Sequence, residues 1–499
     1  MVTVEELSTF CKKKAFAYPS CEIYGGLSGL YDYGHLGTLL KHNFENLWRT
    51  YFLGLGENFV EIEGSEIMHE KTFVASGHIQ NFVDPVAVCK KGHAERADHL
   101  LEKKTKQRSE GMTTEQLLAA LTKHKVLCPT CAGVIENVQV MNMMFPLSLG
   151  VGTPIKGFLR PETAQTPYVN FKREFEALRN KLPCGLAVVG RAYRNEISPR
   201  NFTIRQRAFT QAELQVFFNA AKIEEHEQFD GVKNTKLHVM RADARDKGVQ
   251  QQTPEKLKLP AFYTYHMVMV QKFYLEQLGI PEEKFRLYEL NEVERAFYNK
   301  YHFDVEVDIP GLGWTEVGGI HYRTDHDLAG HQKVSQQNLE CTDENGKKFI
   351  PHVLELSFGV DRNVFMLISN SYAFDKAREN TVLSFPANLA PFQLAVFPLL
   401  SNKEELLAKA HEVYGLLRKT WQTQYDKSGS VGRRYARQDE IGTPYCITVD
   451  FDSLKNNDVT IRDRDSTKQI RVPVSALKET VQKLLSKEIM FEKAGVVMA

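Results

Sequence analysis

The chain has 499 residues, about three times the ~150-residue domain prior, so two or three domains are expected. At 42% hydrophobic and 25% charged it is neither disordered nor collagen-like, and 63 Lys+Arg against 62 Asp+Glu leave no whole-protein field to steer it to a polyanion. Eight cysteines are too few for a disulfide-dense secreted scaffold. MVTVEELSTFCKKKAF has no signal-type apolar core, and no apolar run nears the ~18 residues of a membrane span, so a soluble, cytoplasmic protein with no membrane partner is expected.

In chain order, Thr3 with Glu6 three residues on reads as a capping box that opens a helix. After the glycine-rich turn EIYGGLSGLYDYGHLG, Leu36, Leu40, Phe44, Leu47, Trp48, Tyr51 and Phe52 recur at helical spacing until Gly54. Val60 and Ile62 then alternate with Glu61 and Glu63 as on a half-buried strand. Residues 84–155 turn charged and cysteine-containing, with an amphipathic helix in TTEQLLAALTKH, and read as an insertion into a domain that resumes at Lys156. Two strand-like runs between Leu186 and Phe218, joined by SPRNF, form an antiparallel hairpin by pattern. The polar stretch 224–258 reads as a second insertion or a solvated connection, followed by a helix near 261–278 and more strands to about 360. VLELSFGVDRNVFMLI is a strand–glycine–helix unit, and SFPANLAPFQ a linker. From 386 to 499, QLAVFPLL, a helix near 403–420, PYCITVD, DVTIRDRD and a helix near 475–488 alternate as in a compact mixed α/β domain.

No phosphate loop, no G-x-G-x-x-G before a helix, no H-E-x-x-H and no G-x-S-x-G is present. Any nucleotide must therefore be met by side chains on a sheet. Strand alternation puts Arg194 and Glu196 on one hairpin face, and Arg205, Arg207, Phe209, Gln211 and Glu213 on one face of the returning strand. A solvated face with cross-strand ion pairs would show the same letters. Crowded guanidiniums also suit a triphosphate, whose oxygens match the arginine fork, and Phe209 could stack on a purine. Arg362 projects from the first turn of the helix that Gly359 opens, the unfavourable dipole end for a cation. It either snorkels from a buried turn or addresses an anion. Glu162, Glu316 and Glu355 lie in strand text where a buried carboxylate must be paired, metal-bound or functional.

These segments resemble the glycyl-tRNA synthetase family of homodimeric class II type over essentially the whole chain, through EIYGGLSGLYDYG, ASGHIQNFVDP, RADHL, FLRPETAQ, YRNEISPRNF, ELSFGVDR and GRRYARQDEIGTPYCITVDFD. The resemblance implies an α+β fold: an antiparallel sheet with flanking helices in residues 1–385, and an anticodon-binding α/β domain in 386–499. It implies that glycine and ATP with Mg²⁺ give glycyl-adenylate, that tRNA(Gly) takes the glycyl group, and that the helix near 36–53 and the next strand build a homodimer. Arg194 and Arg362 would be the catalytic cations, with Arg362 on the γ-phosphate. Asn195, Glu196, Ile204, Arg205, Gln206, Arg207, Phe209, Val317, Gly359, Val360 and Asp361 would line the ATP site, and Glu316 and Glu355 would lie near ATP and Mg²⁺. Glu162, Phe209, Gln211, Glu213, Glu355, Ser357 and Gly359 would surround glycine, with Arg96 reaching in from the insertion.

Three departures stand out. The family often carries C-x-x-C where this chain reads CKKGH, so Cys89, His93, Cys128 and Cys131 form either a Cys₃His zinc site or a metal-free remnant. Thr166 and Pro167 follow RPETAQ where glycine and a branched apolar residue are common, and Ala208 stands where Glu is usual. In the last domain Arg433, Arg434, Arg437, Arg462, Arg464, Lys468 and Arg471 form either a solvated face or an anticodon-stem contact. A non-catalytic polymerase accessory subunit and another class II synthetase are the competing readings.

Overall fold

The computed structural model describes residues 2–105, 109, 112–296 and 298–498. The first helix, Val4–Lys13, starts at the expected box: Thr3 accepts from the Glu6 amide and Glu6 from the Thr3 amide. Helix His35–Leu53 buries Leu36, Leu40, Phe44, Trp48 and Phe52, each four residues from the last, with Leu47 and Tyr51 half-buried beside them. Gly37 lets it sit against the backbone at Phe16, since a Cβ there would lie 1.9 Å from the Phe16 carbonyl oxygen.

That helix packs under a nine-stranded sheet. The strands run, in spatial order, Gln250–Gln252, Leu237–Met240, Phe285–Glu289, Tyr301–Ile309, Gly313–Thr324, His352–Gly359, Ala208–Phe218, Cys184–Tyr193 and Phe59–Glu61. All pairings are antiparallel except those of Phe59–Glu61 with Cys184–Tyr193 and of Leu237–Met240 with Phe285–Glu289. The polar stretch 224–258 thus supplies the two outer strands of one edge, where Leu237 and Val239 are buried. On the underside, Phe52, Phe273, Phe358 and Trp48 meet in tilted and edge-on contacts 4.8–6.0 Å apart. Helix Ala261–Lys272 crosses the same underside and is buried at almost every position, which removes the amphipathic period from its sequence.

Within 84–155 a three-stranded sheet (Ala94–Arg96, Val83–Cys89, Ile135–Asn142) is covered by helices Ala97–Thr105 and Thr114–Lys123 through Leu101, Leu117 and Leu121. Pro146–Leu149 pairs instead with Ile155–Leu159, and through it with Ile67–His69.

The C-terminal six-stranded sheet is mixed, in the order Thr423–Tyr425, Leu394–Pro398, Tyr445–Val449, Asp458–Asp463, Gln469–Pro473, Val496–Val497. It has its own apolar core of Leu394, Val396, Leu406, Val413, Ile447 and Ile461. The arginine series there is no phosphate stripe. Arg434 is buried and donates to the Pro398 and Gly429 carbonyls, Arg462 forks onto Asp439 at 2.8 and 2.9 Å, and buried Arg464 holds the Gly442 and Phe385 carbonyls. Arg471 pairs with Asp450 and Asp458, Arg437 with Asp426, and Lys468 with Glu492; Arg433 stays exposed. Most of these cations tie loops to the sheet, because a buried guanidinium must spend its donors internally.

Candidate active site

Strand register builds the site. Glu213 lies opposite Ser357, and Ser357 opposite Gly319, which in turn faces Asp304. Two residues along, Gln215, Glu355, His321 and His302 form a parallel row. Side chains two apart share a face, so both polar rows point away from the Phe52–Phe358 core. They floor a cavity of about 360 Å³, within the usual size of a small-ligand site. Gly319 keeps the floor open, since a Cβ would come within 2.3 Å of His321 Nε2.

Three carboxylates meet there, and they are not equivalent. Glu355 is held on both oxygens: Arg323 and Gln215 donate to Oε2 at 3.0 Å each, and His321 Nδ1 contacts Oε1. Burial alone would raise its pKa, but Arg323 and His321 outweigh it and hold Glu355 down to about 2. Glu162 is likewise held well below the carboxylate range, against burial, by His78 at 3.5 Å, Arg323 at 4.0 Å and a 2.8 Å bond from Gln165. Arg323 is itself anchored by a fork onto Asp327 at 2.8 and 3.1 Å. Glu213 has no ion-pair partner among the described residues. It accepts from Thr163 Oγ1 and Ser357 Oγ at 2.7 Å and from Gln211 Nε2 at 2.8 Å. Burial, then the charges of Glu355 and Glu162, push it up to about 7.

At the other end of the cavity, Arg362 donates to the Ile204 carbonyl and contacts the Glu316 carboxylate at 3.0 Å, while Arg205 pairs with Glu196 at 2.8 Å. Arg194 donates to the Pro161 carbonyl and lies 5.2 Å over the Phe209 ring and 5.3 Å over Phe82. Of the residues expected in the site, Glu162, Arg194, Glu196, Ile204, Arg205, Gln206, Phe209, Gln211, Glu213, Glu316, Glu355, Ser357, Gly359, Asp361 and Arg362 line this one cavity.

Five others do not. Strand Cys184–Tyr193 ends before Arg194, and the returning strand starts only at Ala208, so residues 194–207 form a loop and the alternation read for them does not hold. In that loop Arg207 turns outward to the Ser28 and Glu196 carbonyls, and the Asn195 amide is spent on the Met143 carbonyl. Arg96 is consumed by Asp84 and Asp98 inside the insertion. Val317 and Val360 are fully buried in the apolar core. Asp361 lines the cavity but accepts from Tyr33 Oη and the Thr210 amide, fastening helix Val360–Ser371 to the hairpin. Of the two carboxylates expected near Mg²⁺, Glu355 accepts from three N–H donors and Glu316 pairs with Arg362. Among the departures, Thr166 Oγ1 accepts from buried Arg160 at 3.2 Å.

His321, Arg323, Asp327, Thr163 and Gln165 belong to the site although sequence reading passed over them. Period two in GGIHYRT does put Gly319, His321 and Arg323 on one face, but only the strand order places that face against Glu355.

Away from the cavity, Cys89, His93, Cys128 and Cys131 converge with all ligand atoms within 4.8 Å. Cys89 Sγ is 3.7 Å from Cys131 Sγ and 3.6 Å from His93 Nδ1, and Cys128 Sγ is 3.8 Å from that nitrogen. A tetrahedral ion with metal–sulfur bonds of about 2.3 Å requires edges of about 3.8 Å, so the set fits zinc.

The fold is similar to that of a Cryptosporidium parvum prolyl-tRNA synthetase solved with L-proline and AMP, with a TM-score of 0.59 at 14% identity over 97% of this chain and 76% of that one. Residues 393–484 match the family model described as an anticodon binding domain. The architecture is therefore that of the class II aminoacyl-tRNA synthetases. Among curated relatives, the glycine–tRNA ligase of Pyrococcus furiosus is 37% identical, covering 96% of this chain and 99% of its own. That of Methanothrix thermoacetophila is 32% identical with 99% of each covered, and that of Aeropyrum pernix 33% with 98% of each. This chain belongs to the glycine–tRNA ligase family.

Because Glu213 binds its proton more tightly folded than unfolded, its contribution to stability is full below its ordinary 4.5 and is lost as pH rises through about 7. Above pH 7 the buried charge destabilises the ligand-free protein, and Glu213→Gln removes that charge while its amide can donate to Thr163 Oγ1. The variant should melt higher than wild type above pH 7, with the gap closing toward pH 5. A gap that does not change with pH contradicts the burial of this charge.

Proposed function

We propose that the cavity joins glycine to ATP and that the chain then passes the glycyl group from the adenylate to tRNA(Gly). The observation that carries the reading is Glu213, the one carboxylate of the three with no ion-pair partner among the described residues. A glycine ammonium there would supply the missing charge, with Ser357, Gln211 and Glu162 around it. Selectivity needs only exclusion, since every competing amino acid is larger. Forcing a methyl into filled space costs about 1–3 kcal/mol, and no editing step is required in principle.

The glycine carboxylate attacks the α-phosphorus of ATP, and pyrophosphate leaves. The step needs no protein acid or base. Arg205 and Arg362 would exchange their present carboxylate partners for phosphate oxygens, and Phe209 under Arg194 would receive the adenine. Pre-aimed guanidiniums stabilise charge that builds in the transition state without reorganising. Mg²⁺ near Glu316 would neutralise the triphosphate further. In the second step a terminal tRNA hydroxyl attacks the adenylate carbonyl and AMP leaves. Arg362→Ala should cut glycine-dependent ATP–pyrophosphate exchange by about 10²-fold or more while the protein stays folded by circular dichroism. An exchange rate within about tenfold of wild type removes Arg362 from this role.

The reading includes a homodimer through helix His35–Leu53 and edge strand Phe59–Glu61, a division of the chain near 386 with the anticodon read by the C-terminal part, and a cytoplasmic setting. No helix among the described residues is long and apolar enough to cross a membrane. It also assigns zinc to Cys89, His93, Cys128 and Cys131, where it would hold the strand Val83–Cys89 to the Cys128–Cys131 turn. Protein purified without chelator should carry about one zinc per chain, and Cys131→Ser should lose it. Zinc far below one per chain makes the set a remnant.

A further inference from the structure

A second cavity, of about 650 Å³, adjoins the first and shares Tyr298 and Asn299 with it. Its wall is the first two turns of helix His326–Ser335. The Tyr298 and His326 rings lie nearly parallel, 17° apart with centroids at 5.0 Å, and the Arg323 guanidinium lies 4.8 Å over the Tyr298 ring, so the stack meets the second cavity through His326. Lys300 and Lys333 are exposed at the rim with no ion-pair partner among the described residues, and Asp325 is the lone acid in the lining. Asn299 is only 6% exposed, yet its Oδ1 has no hydrogen-bond partner among the described residues; its Nδ2 is 3.4 Å from His302 Nδ1, in the first cavity. A buried acceptor left unpaired is costly and points to a donor supplied from outside.

An aromatic ring flanked by lysines that form no ion pair among the described residues, leading to a buried acceptor, offers what a single strand of nucleic acid requires: stacking for its bases, cations for its phosphates, and an acceptor for a ribose hydroxyl. The neighbouring cavity is where an acylated 3′ end must arrive. We infer that this groove receives the 3′-terminal nucleotides of tRNA, with Lys300 and Lys333 at their phosphates, the His326 ring against a base, and Asn299 Oδ1 accepting from a ribose hydroxyl. The inference rests on the tRNA-charging reading above and adds the path by which the acceptor enters.

The test is the double variant Lys300→Glu/Lys333→Glu, assayed in two steps. Glycine-dependent ATP–pyrophosphate exchange should stay within about twofold of wild type, because neither lysine lines the first cavity. Charging should lose about tenfold or more in kcat/KM for tRNA. The slope of log binding constant against log salt should become shallower by about 1.4, two single-strand phosphate contacts at about 0.7 each. A transcript lacking its three 3′-terminal nucleotides should bind both proteins alike. Unchanged charging, loss of exchange along with charging, or a binding defect that persists with the shortened transcript overturns the groove assignment. Failure of the charging reading itself is seen separately, as wild-type protein showing no glycine-dependent exchange.

Discussion

Arg323 lies almost wholly buried between three carboxylates, forked onto Asp327, bonded to Glu355 and 4.0 Å from Glu162. Several buried negative charges in one small space would be prohibitively unfavourable without it. With it, and with His78 and His321 alongside, Glu162 and Glu355 stay ionised, and burial together with their fields makes the neighbouring Glu213 reluctant to ionise. In the proposed reading this charge balance, one positive charge short, is what receives an ammonium.

The rest of the fold serves to hold that balance in place. The apolar underside, centred on Trp48, Phe52, Phe273 and Phe358, fixes the strand order that brings residues more than a hundred positions apart into one row. Helix Val360–Ser371 is tied to the hairpin by Asp361 and to strand Gly313–Thr324 by Asn363, which donates to the Val317 carbonyl at 2.8 Å. The arginine-bearing loop 194–207 is clasped by the segment 84–155 through Glu95 on Ser198 and the Met143 carbonyl on the Asn195 amide, and by Phe82, just before that segment, beneath Arg194. A zinc-stiffened insertion would act on the phosphate end of the site through those contacts.

Much of this could be read from letters. The Thr3 capping box, the helix that carries Trp48, the hairpin and the strand–Gly359–helix unit follow from local periodicity and turn chemistry, whereas it is the family resemblance that groups Glu162, Glu213 and Glu355 as candidates. What escaped is what depends on tertiary partners. Alternation in the letters runs back beyond the start of strand Ala208–Phe218, so Arg207 reads as part of the nucleotide face although it turns to Ser28. Arg96, Arg434, Arg462 and Arg464 resemble free cations in sequence, yet each is spent on a carboxylate or carbonyl distant in the chain or across a loop. His321 and Arg323 carried no local signal strong enough to stand out, because their meaning comes from the strand laid beside them.

The central claim is that Glu213, protonated near neutrality in the empty site, becomes the counter-ion of the glycine ammonium. Isothermal titration of glycine into the protein, repeated in buffers of different ionisation enthalpy, measures this directly. Binding should release close to one proton per glycine at about pH 6 and almost none at about pH 9, since the group that gives up the proton titrates near 7. Binding heats that do not depend on the buffer at about pH 6, or proton uptake there, would contradict the account.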